Sequence, residues 1–420
     1  GIYGVDLFPK DIIKFSDGFS KLIKNGKCVI GRDTRTTGDM IEKLVSATML
    51  ERGIDIQHLG ITPTPVVFRK ARDIGAGIII TSSHNPLEWN GLKFIIEGRG
   101  ITEEELEIVK NESNSNRPQI GKESSIESDY VSDAIQVIGK LKQERHVTID
   151  VGGGSAKDIA PQLLRKIGCK ITTINDVLEK CSRGPDPTSD ELTELVNKTK
   201  DIGFAFDLDS DRVILVMNGK KKSSDITLGL GVIKAIKLGI KKFVLSLDSS
   251  IAIERYIINH GGKVWRSKVG EANVIQTMNE NDAEAGGEGS SGGFILKKFN
   301  MCRDGLLTSG LIASMIDEDS IKKDIEFFES FSQIRDKVQV ESRLHERLII
   351  EIKNKINKKY QINQLDGIKV EINKNTWSLI RKSNTEDIIR VSTESNDRQM
   401  LEQIQEEMIE TVKNCYEQIK

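Results

Sequence analysis

Residues 28–44 read CVIGRDTRTTGDMIEKL, an apolar run followed by small polar residues and then by helical periodicity. The same order recurs at 147–164, VTIDVGGGSAKDIAPQLL, and at 243–257, FVLSLDSSIAIERYI. A glycine-led apolar run, typical of a second strand, follows each helix. This βαβ pattern, present three times, predicts three related α/β domains. An aspartate marks the same place in each unit: Asp33, Asp150 and Asp248.

The last part of the chain follows a different pattern. From about Ser332 it reads as a helix, HERLIIEIKNKIN, then as the strands GIKVEI, TWSLIRKS and DIIRVSTE, then as a long helix. This order predicts a compact α+β module. With joints near residues 140, 240 and 325, the sequence predicts three related α/β domains with mixed sheets plus a C-terminal α+β domain, around a central cleft.

Composition excludes several functional classes. At 420 residues the chain is too long for one core, since single cores stop growing near roughly 250–300 residues. The 61 basic and 63 acidic residues nearly balance, so we expect a small-molecule partner, no nucleic acid and no membrane. No apolar run reaches the ~18 residues of a membrane span. The five cysteines are scattered and never spaced as Cys-x-x-Cys, which favours a cytoplasmic location over a disulfide framework.

The segment DLDSDR, which follows the apolar run IGFAF, carries carboxylates at alternate positions. They are Asp207, Asp209 and Asp211. Their mutual repulsion would be relieved by a hard cation with oxygen ligands, Mg²⁺ or Ca²⁺. An EF-hand is disfavoured, because Arg212 stands where that loop needs glycine and Asn218 where it needs glutamate. A solvated acidic turn and a phosphatase with Asp207 as nucleophile remain alternatives.

The heptad ITSSHNP at 80–86 places two serines, a histidine and an asparagine directly after an apolar strand. A serine hydroxyl is a weak nucleophile unless a base or a nearby cation activates it. His84 and the downstream Lys93 are candidates for that part. Serine and asparagine are also ordinary turn residues, so a plain turn is the alternative.

Two further loops could contact a phosphorylated ligand. The loop RKSNTEDIIR at 381–390 combines arginines, whose planar fork matches phosphate oxygens, with hydroxyl and amide side chains. The loop GGEGSSGG at 286–293 fits neither Walker A nor Gly-x-Gly-x-x-Gly, but its Glu288 could contact a sugar hydroxyl. An exposed hairpin loop and a flexible glycine turn are the respective alternatives.

Taken in this order, the four loops resemble the motifs of the α-D-phosphohexomutase superfamily. The family pattern runs Thr-Ala-Ser-His-Asn-Pro, Asp-Gly-Asp-x-Asp-Arg, Gly-Glu-x-Ser-Gly-His and Arg-x-Ser-Asn-Thr-Glu-Pro-x-x-Arg. Order and spacing agree over essentially the whole chain, and the third loop is similar to that of archaeal members. The resemblance implies a phosphomutase of the phosphoglucomutase/phosphomannomutase type, which moves a phosphoryl group between O1 and O6 of a hexose or hexosamine phosphate.

The resemblance also implies a role for individual residues. A phosphoserine would form at Ser83, Lys93 would act as acid or base, and His84 and Arg212 would lie beside them. Magnesium would be bound by Asp207, Asp209, Asp211 and the phosphorylated Ser83. Sugar contacts would come from Glu288 and Ser290, and supporting contacts from Arg32, Arg35 and Lys268. The phosphate that does not react would be held by Arg381, Ser383, Asn384, Thr385 and Arg390.

The implied organisation gives each domain one task. A phosphoserine domain would span 1–140, a metal-binding domain 141–242, a sugar-recognition domain 243–325 and a phosphate-binding domain 326–420. The implied cofactors are Mg²⁺ and a hexose 1,6-bisphosphate, which serves as activator and as intermediate. The expected partner is a sugar phosphate, and the expected state is a monomer or a homodimer.

The sequence departs from the family pattern at four positions. Asp6 stands where the family has an arginine near the reacting phosphate, and the histidine of the third loop is absent. Leu208 and Asp387 replace a glycine and a proline that supply no ligand side chain. An anion at position 6 would repel phosphate, so a sugar-phosphate-binding paralogue with weak or altered activity is the alternative to an active mutase.

Overall fold

The structure is a computed structural model and describes residues 1–111, 119–316, 319–357, 359–383 and 386–420. Four sheets follow one another along the chain. Among the described helices, none combines the length and the apolar character needed to cross a membrane.

The first sheet has the order β5-β4-β3-β1-β2-β6. Its strands are β1 (Lys27–Arg32), β2 (Asp55–Ile61), β3 (Ala76–Ile80), β4 (Leu92–Ile96), β5 (Arg99–Gly100) and β6 (Glu123–Ser125), and the helices around it are α1 (Pro9–Ser20), α2 (Gly38–Glu51), α3 (Thr64–Ile74), α4 (Glu103–Val109) and α5 (Tyr130–Ile138). Because β4 runs antiparallel to β3 while β1, β2 and β3 are parallel, the sheet is mixed. The exposed side chains of β6 show no strand pattern in the sequence, and β6 joins the sheet by pairing with β2.

The second sheet has the order β11-β10-β9-β7-β8. Its elements are β7 (Arg145–Asp150), α6 (Ala156–Ile167), β8 (Cys169–Ile174), α7 (Thr193–Lys198), β9 (Ile202–Phe206), β10 (Val213–Met217) and β11 (Lys220–Lys221). The parallel pair β7 and β8 confirms the second βαβ unit. DLDSDR is the turn between the antiparallel strands β9 and β10.

The third sheet has the order β13-β12-β14-β15. Its elements are α8 (Ser224–Lys237), β12 (Lys242–Ser246), α9 (Ile251–Asn259), β13 (Lys263–Ser267), α10 (Glu271–Glu280), β14 (Ala285–Glu288), β15 (Gly293–Leu296), α11 (Gly305–Ala313) and α12 (Asp319–Glu329). The parallel pair β12 and β13 confirms the third unit. The glycine-rich loop connects the antiparallel strands β14 and β15.

The last sheet is antiparallel, with the order β16-β20-β19-β18-β17. Its elements are β16 (Ser332–Gln339), α13 (His345–Ile356), β17 (Ile362–Asn363), β18 (Ile368–Asn373), β19 (Thr376–Lys382), β20 (Ile388–Ser395) and α14 (Arg398–Ile419). The prediction that this module starts with a helix is wrong, because β16 comes first. Its side chains are mostly polar and exposed, so the pattern of alternate burial that marks a strand is weak.

The last module has a main apolar core of its own, and a small buried cluster of Leu247, Trp377 and Leu379 connects it to the third domain. One core cluster extends from Val66 to Phe328 and joins the second and third sheets through α8, which packs against both β10 and β15. The last module has its own cluster, from Val338 to Ile419. The predicted fold class is confirmed. The domain boundaries stay a prediction, and α12 runs across the joint expected near residue 325.

Candidate active site

Ser83 lies on a tight turn directly after β3. Its φ of 49° is in the left-handed region, which a residue with a side chain rarely adopts. The Thr81 hydroxyl accepts a hydrogen bond from the Ser83 backbone N–H at 2.8 Å, and Ser83 is only 8% exposed. Backbone strain of this kind is kept where surrounding contacts enforce it, often at functional sites.

Arg35 is the contact that enforces the turn. Its buried guanidinium donates to the carbonyl oxygens of Ser83 at 2.6 Å, Asn85 at 2.8 Å and Trp89 at 2.8 Å. Its Nε pairs with Asp33 at 3.0 Å. Asp33 and Arg35 of GRDTR therefore shape the serine turn, and the Arg35 guanidinium is engaged by the carbonyl groups of that turn.

The three aspartates of DLDSDR meet at the serine. Ser83 Oγ donates to Asp207 Oδ2 at 2.8 Å, and all three carboxylates are buried, with candidate ligand atoms within 4.8 Å of one another. Thr64 at the start of α3 fixes this loop, since its hydroxyl donates to Asp209 Oδ2 at 2.6 Å and its N–H to the Asp209 carbonyl at 2.8 Å. The first two domains thus share one site.

The aspartate cluster has the properties of a cation site. Burial and the charges of Asp209 and Asp211 raise the pKa of Asp207 well above its usual range. Asp209 Oδ1 and Asp211 Oδ1 are buried and have no hydrogen-bond partner among the described residues. A buried carboxylate oxygen without a donor is costly, and oxygen atoms are the ligands that Mg²⁺ and Ca²⁺ take. The residues present therefore fit a hard divalent cation.

Lys93 lies on β4 and points its amine at the same cluster. Its Nζ is 2.7 Å from Asp209 Oδ2 and 3.3 Å from Asp211 Oδ2. Burial acts to lower the pKa of Lys93, but the charges of Asp209 and Asp211 outweigh it and hold that pKa above its ordinary value. Without a bound cation, Lys93 is an ammonium.

His84 and Arg212 form a second pair beside the serine. Their nearest side-chain nitrogens are 3.4 Å apart, and the Arg212 backbone N–H donates to Asp207 Oδ1 at 3.1 Å. Burial, together with the Arg212 charge, lowers the pKa of His84 to about 4. His84 is therefore neutral near pH 7. His84 Nδ1 and Arg212 Nε have no partner within the described ranges.

Glu288 reaches the cluster through an arginine that the sequence analysis did not identify. Arg303 donates one terminal nitrogen to Glu288 Oε2 and the other to Asp211 Oδ2, each at 2.7 Å. Glu271 was also missed, and its carboxylate lies 3.2 Å from Arg303 Nε. The only sequence signal for either residue was a charge inside a buried-looking turn, which is too common to single out.

The remaining predicted residues differ in exposure. Ser290 is half-buried in the glycine loop, and Lys268 is exposed after β13. Asp366 connects the last module to that region, since its Oδ2 accepts the Val269 N–H at 3.0 Å and lies 3.3 Å from Arg381 Nε.

The loop of the last module that was predicted to hold phosphate is described only in part. Ser383 is buried, while Arg390 is exposed. Arg390 on β20 lies directly opposite Arg381 on β19 in the backbone register of the sheet. Asn384 and Thr385 lie outside the described residues.

Comparison with family models accounts for nearly all of the chain. Residues 1–120, 128–220 and 226–331 match the phosphoglucomutase/phosphomannomutase α/β/α domains I, II and III, and residues 337–411 match the C-terminal domain of the same family. The glycine loop and Arg303 both fall within the match to domain III.

Similar proteins agree with this assignment. The phosphoglucosamine mutase of Methanococcus vannielii is 32% identical over 99% of this chain and 98% of that protein. The probable phosphoglucosamine mutase of Methanothermobacter thermautotrophicus is 30% identical over 91% and 89%. A phosphoglucomutase/phosphomannomutase family protein from Burkholderia thailandensis shares the fold, with a TM-score of 0.85, 20% identity and coverage of 99% and 95%. The chain therefore belongs to the α-D-phosphohexomutase superfamily, the family of phosphoglucomutases and phosphomannomutases.

Proposed function

We propose that this protein is a phosphosugar mutase that moves a phosphoryl group between O1 and O6 of a hexosamine phosphate, with glucosamine phosphate as the preferred sugar. The observation that carries the proposal is the 2.8 Å contact between Ser83 Oγ and Asp207 at a buried aspartate cluster. The choice of sugar rests on relatives named phosphoglucosamine mutase.

Ser83 carries the phosphoryl group in this proposal. The bond between phosphorus and Ser83 Oγ breaks as a sugar hydroxyl oxygen bonds to phosphorus, which gives a 1,6-bisphosphate. The same steps in reverse, from the other end of the sugar, return the phosphoryl group to Ser83. Such a transfer needs little covalent chemistry from the protein, so positioning and charge supply most of the acceleration.

Asp207, Asp209 and Asp211 would hold Mg²⁺, because two of their buried oxygens have no donor among the described residues. When bound, the ion neutralises oxygens of the transferring group. The His84–Arg212 pair would add Nδ1 of His84 and Nε of Arg212, which have no hydrogen-bond partner within the described part of the chain. His84 acts as a neutral hydrogen-bonding group, in keeping with its pKa of about 4.

Lys93 would relay the proton. Its ammonium gives a proton to Ser83 Oγ as the phosphoryl group leaves, and the resulting amine takes the proton of the attacking hydroxyl, so protons and charge balance. In the metal-free protein the contacts to Asp209 and Asp211 hold Lys93 as the charged ammonium. A positioned acid or base of this kind contributes roughly 10²–10⁴-fold in rate.

The bisphosphate has to turn around between the two transfers. The glycine loop would contact the sugar through Glu288 and Ser290, and the last module would hold the phosphate at the far end through Arg381, Ser383 and the neighbouring loop. A module with its own core can move as a unit while it keeps that phosphate.

A coupled assay tests the function and the sugar together. Glucosamine, glucose and mannose 1-phosphates are supplied with Mg²⁺ and a trace of the matching 1,6-bisphosphate, and the 6-phosphate is measured. We expect glucosamine 1-phosphate to give the highest kcat/KM. No 6-phosphate from any of the sugars would refute a mutase, and a preference for glucose or mannose would refute the choice of sugar.

Asp6 favours the second candidate, a sugar-phosphate-binding paralogue with weak activity. The residue is exposed, and its carboxylate accepts the backbone N–H of Ile2. If it stands close to the reacting phosphate, Asp6→Arg replaces a repulsive charge by a charge-assisted hydrogen bond worth about 1.5–3 kcal/mol. We expect kcat/KM to rise about tenfold or more, while the control Asp6→Asn, which only removes the charge, rises less. If kcat/KM of Asp6→Arg equals that of the native protein, Asp6 does not impair the activity.

A further inference from the structure

Arg303 connects three carboxylates that come from separate parts of the chain. Its side chain is 13% exposed, and its two terminal nitrogens contact Glu288 and Asp211 at 2.7 Å each. Its backbone N–H donates to Glu271 Oε2 at 2.8 Å, which fixes the start of the side chain as well as its end. The planar guanidinium can bridge two carboxylates in one fixed geometry, which a lysine cannot do.

Gly293 makes room for this side chain. It pairs with Glu288 across the hairpin, and a Cβ added to it would lie 2.2 Å from Arg303 Cδ and 2.7 Å from Arg303 Cγ. No side chain other than hydrogen fits there while Arg303 keeps its position. The family pattern ends this loop with a histidine, whereas in this chain Ser291, Gly292 and Gly293 follow Ser290 and the Arg303 side chain packs against Gly293.

The orientation of the Glu288 carboxylate depends on Arg303. Glu288 Oε1 accepts the Gly270 N–H at 2.7 Å, and Oε2 accepts Arg303. With one oxygen on each donor, the carboxylate plane is fixed, and each oxygen keeps a lone pair for a further hydrogen bond. Loss of Arg303 would leave Glu288 held at one oxygen only.

We propose that Arg303 is a positioning residue that sets the Glu288 carboxylate for recognition of the sugar hydroxyls, with Asp211 as its anchor, in a loop that lacks the histidine of the family pattern. This inference rests on the proposed function, since it assumes that the ligand is a sugar phosphate. Arg303 acts through Glu288, so its loss weakens discrimination between sugars that differ in one hydroxyl.

The test is a double-mutant cycle read out by binding, so that no turnover is required. Dissociation constants for glucosamine 1-phosphate and for its C4 epimer, galactosamine 1-phosphate, are measured by calorimetry with Mg²⁺ for the native protein and for Arg303→Met, Arg303→Lys, Glu288→Gln and Glu288→Gln/Arg303→Met. We expect either Arg303 change to weaken glucosamine 1-phosphate binding about tenfold or more and to reduce the ratio between epimers. The double variant should bind about as Glu288→Gln does.

Arg69→Met is the matched control. It removes another largely buried arginine, which pairs with Asp133 at 2.8 Å and binds the Phe299 carbonyl in the segment before Arg303. This control should keep the epimer ratio. Additive effects of the Arg303 and Glu288 changes, or an epimer ratio unchanged in both Arg303 variants, would overturn the proposal. If the native protein binds with selectivity but does not turn over, the proposed function fails while the cycle still decides the role of Arg303. Absence of binding to the native protein would refute both.

Discussion

Ser83→Ala is expected to lower the mutase rate by at least about 10⁴-fold, because removal of a nucleophile leaves only binding and electrostatic stabilisation. The neighbouring Ser82 is the matched control. Its hydroxyl accepts from Asn85 Nδ2 at 3.1 Å, whereas Ser83 Oγ contacts Asp207. Ser82→Ala should stay within about tenfold of the native rate in the coupled assay. If Ser82→Ala lost activity and Ser83→Ala kept it, the phosphoryl carrier would be Ser82, and the assignment to Ser83 would be refuted.

Asp207→Asn should make the metal-free protein more stable and the enzyme inactive. Asparagine can keep both contacts, accepting from the Arg212 N–H and donating to Ser83 Oγ, while it removes a charge that burial and two neighbouring carboxylates disfavour. If removal of the disfavoured charge raises the free energy of unfolding by about 1 kcal/mol, the apparent Tm of a cooperative unit of about 150–250 residues rises by roughly 2–4 °C. The rate should fall below detection, since a ligand of the cation site is lost.

The raised pKa of Asp207 determines how the stability gain of Asp207→Asn changes with pH. The folded state holds its proton to a higher pH than the unfolded state, where the carboxyl titrates near about 3.9. The contribution of Asp207 to the free energy of unfolding is therefore fully present below the unfolded-state pKa of about 3.9, and it is lost as the pH rises through the raised pKa of the folded state. The advantage of Asp207→Asn in EDTA should be largest at neutral pH and absent below about pH 4.

Thermal unfolding with and without Mg²⁺ measures this effect. Binding to the folded state alone stabilises it, so Mg²⁺ should raise the Tm of the native protein more than that of Asp207→Asn. Asp186→Asn is the control, because Asp186 lies 3.6 Å from Arg212 outside the aspartate cluster and should give no gain in EDTA. A native protein that is more stable than Asp207→Asn in EDTA at pH 7 would contradict the account of the cluster.

Local patterns were enough to predict the architecture. The βαβ units could be predicted because an apolar strand, a turn of small residues and an amphipathic helix follow one another within short stretches of sequence. The turns that carry Ser83 and DLDSDR could be found for the same reason, since each comes directly after a buried strand. The strand β16 could not be predicted, because its side chains are mostly polar and exposed and show no apolar alternation. Its place in the sheet comes from backbone pairing with β20.

Contacts between distant segments account for what the sequence did not predict. Arg303 lies 15 residues from Glu288 and 92 residues from Asp211 along the chain, so no spacing rule connects them. Arg35 was assigned a supporting role, but its bonds to the carbonyls of the serine turn, 48 to 54 residues away, became visible only in the fold. A buried arginine is specified by the groups that surround it, and a single sequence does not show those groups.

The intact mass of the protein after incubation with glucose 1,6-bisphosphate and Mg²⁺ shows whether Ser83 carries the phosphoryl group. We expect the addition of one phosphoryl group to the native protein, located at Ser83 by peptide mass spectrometry and absent from Ser83→Ala. A native protein that takes up no phosphoryl group, or takes it up on another residue, would contradict this expectation.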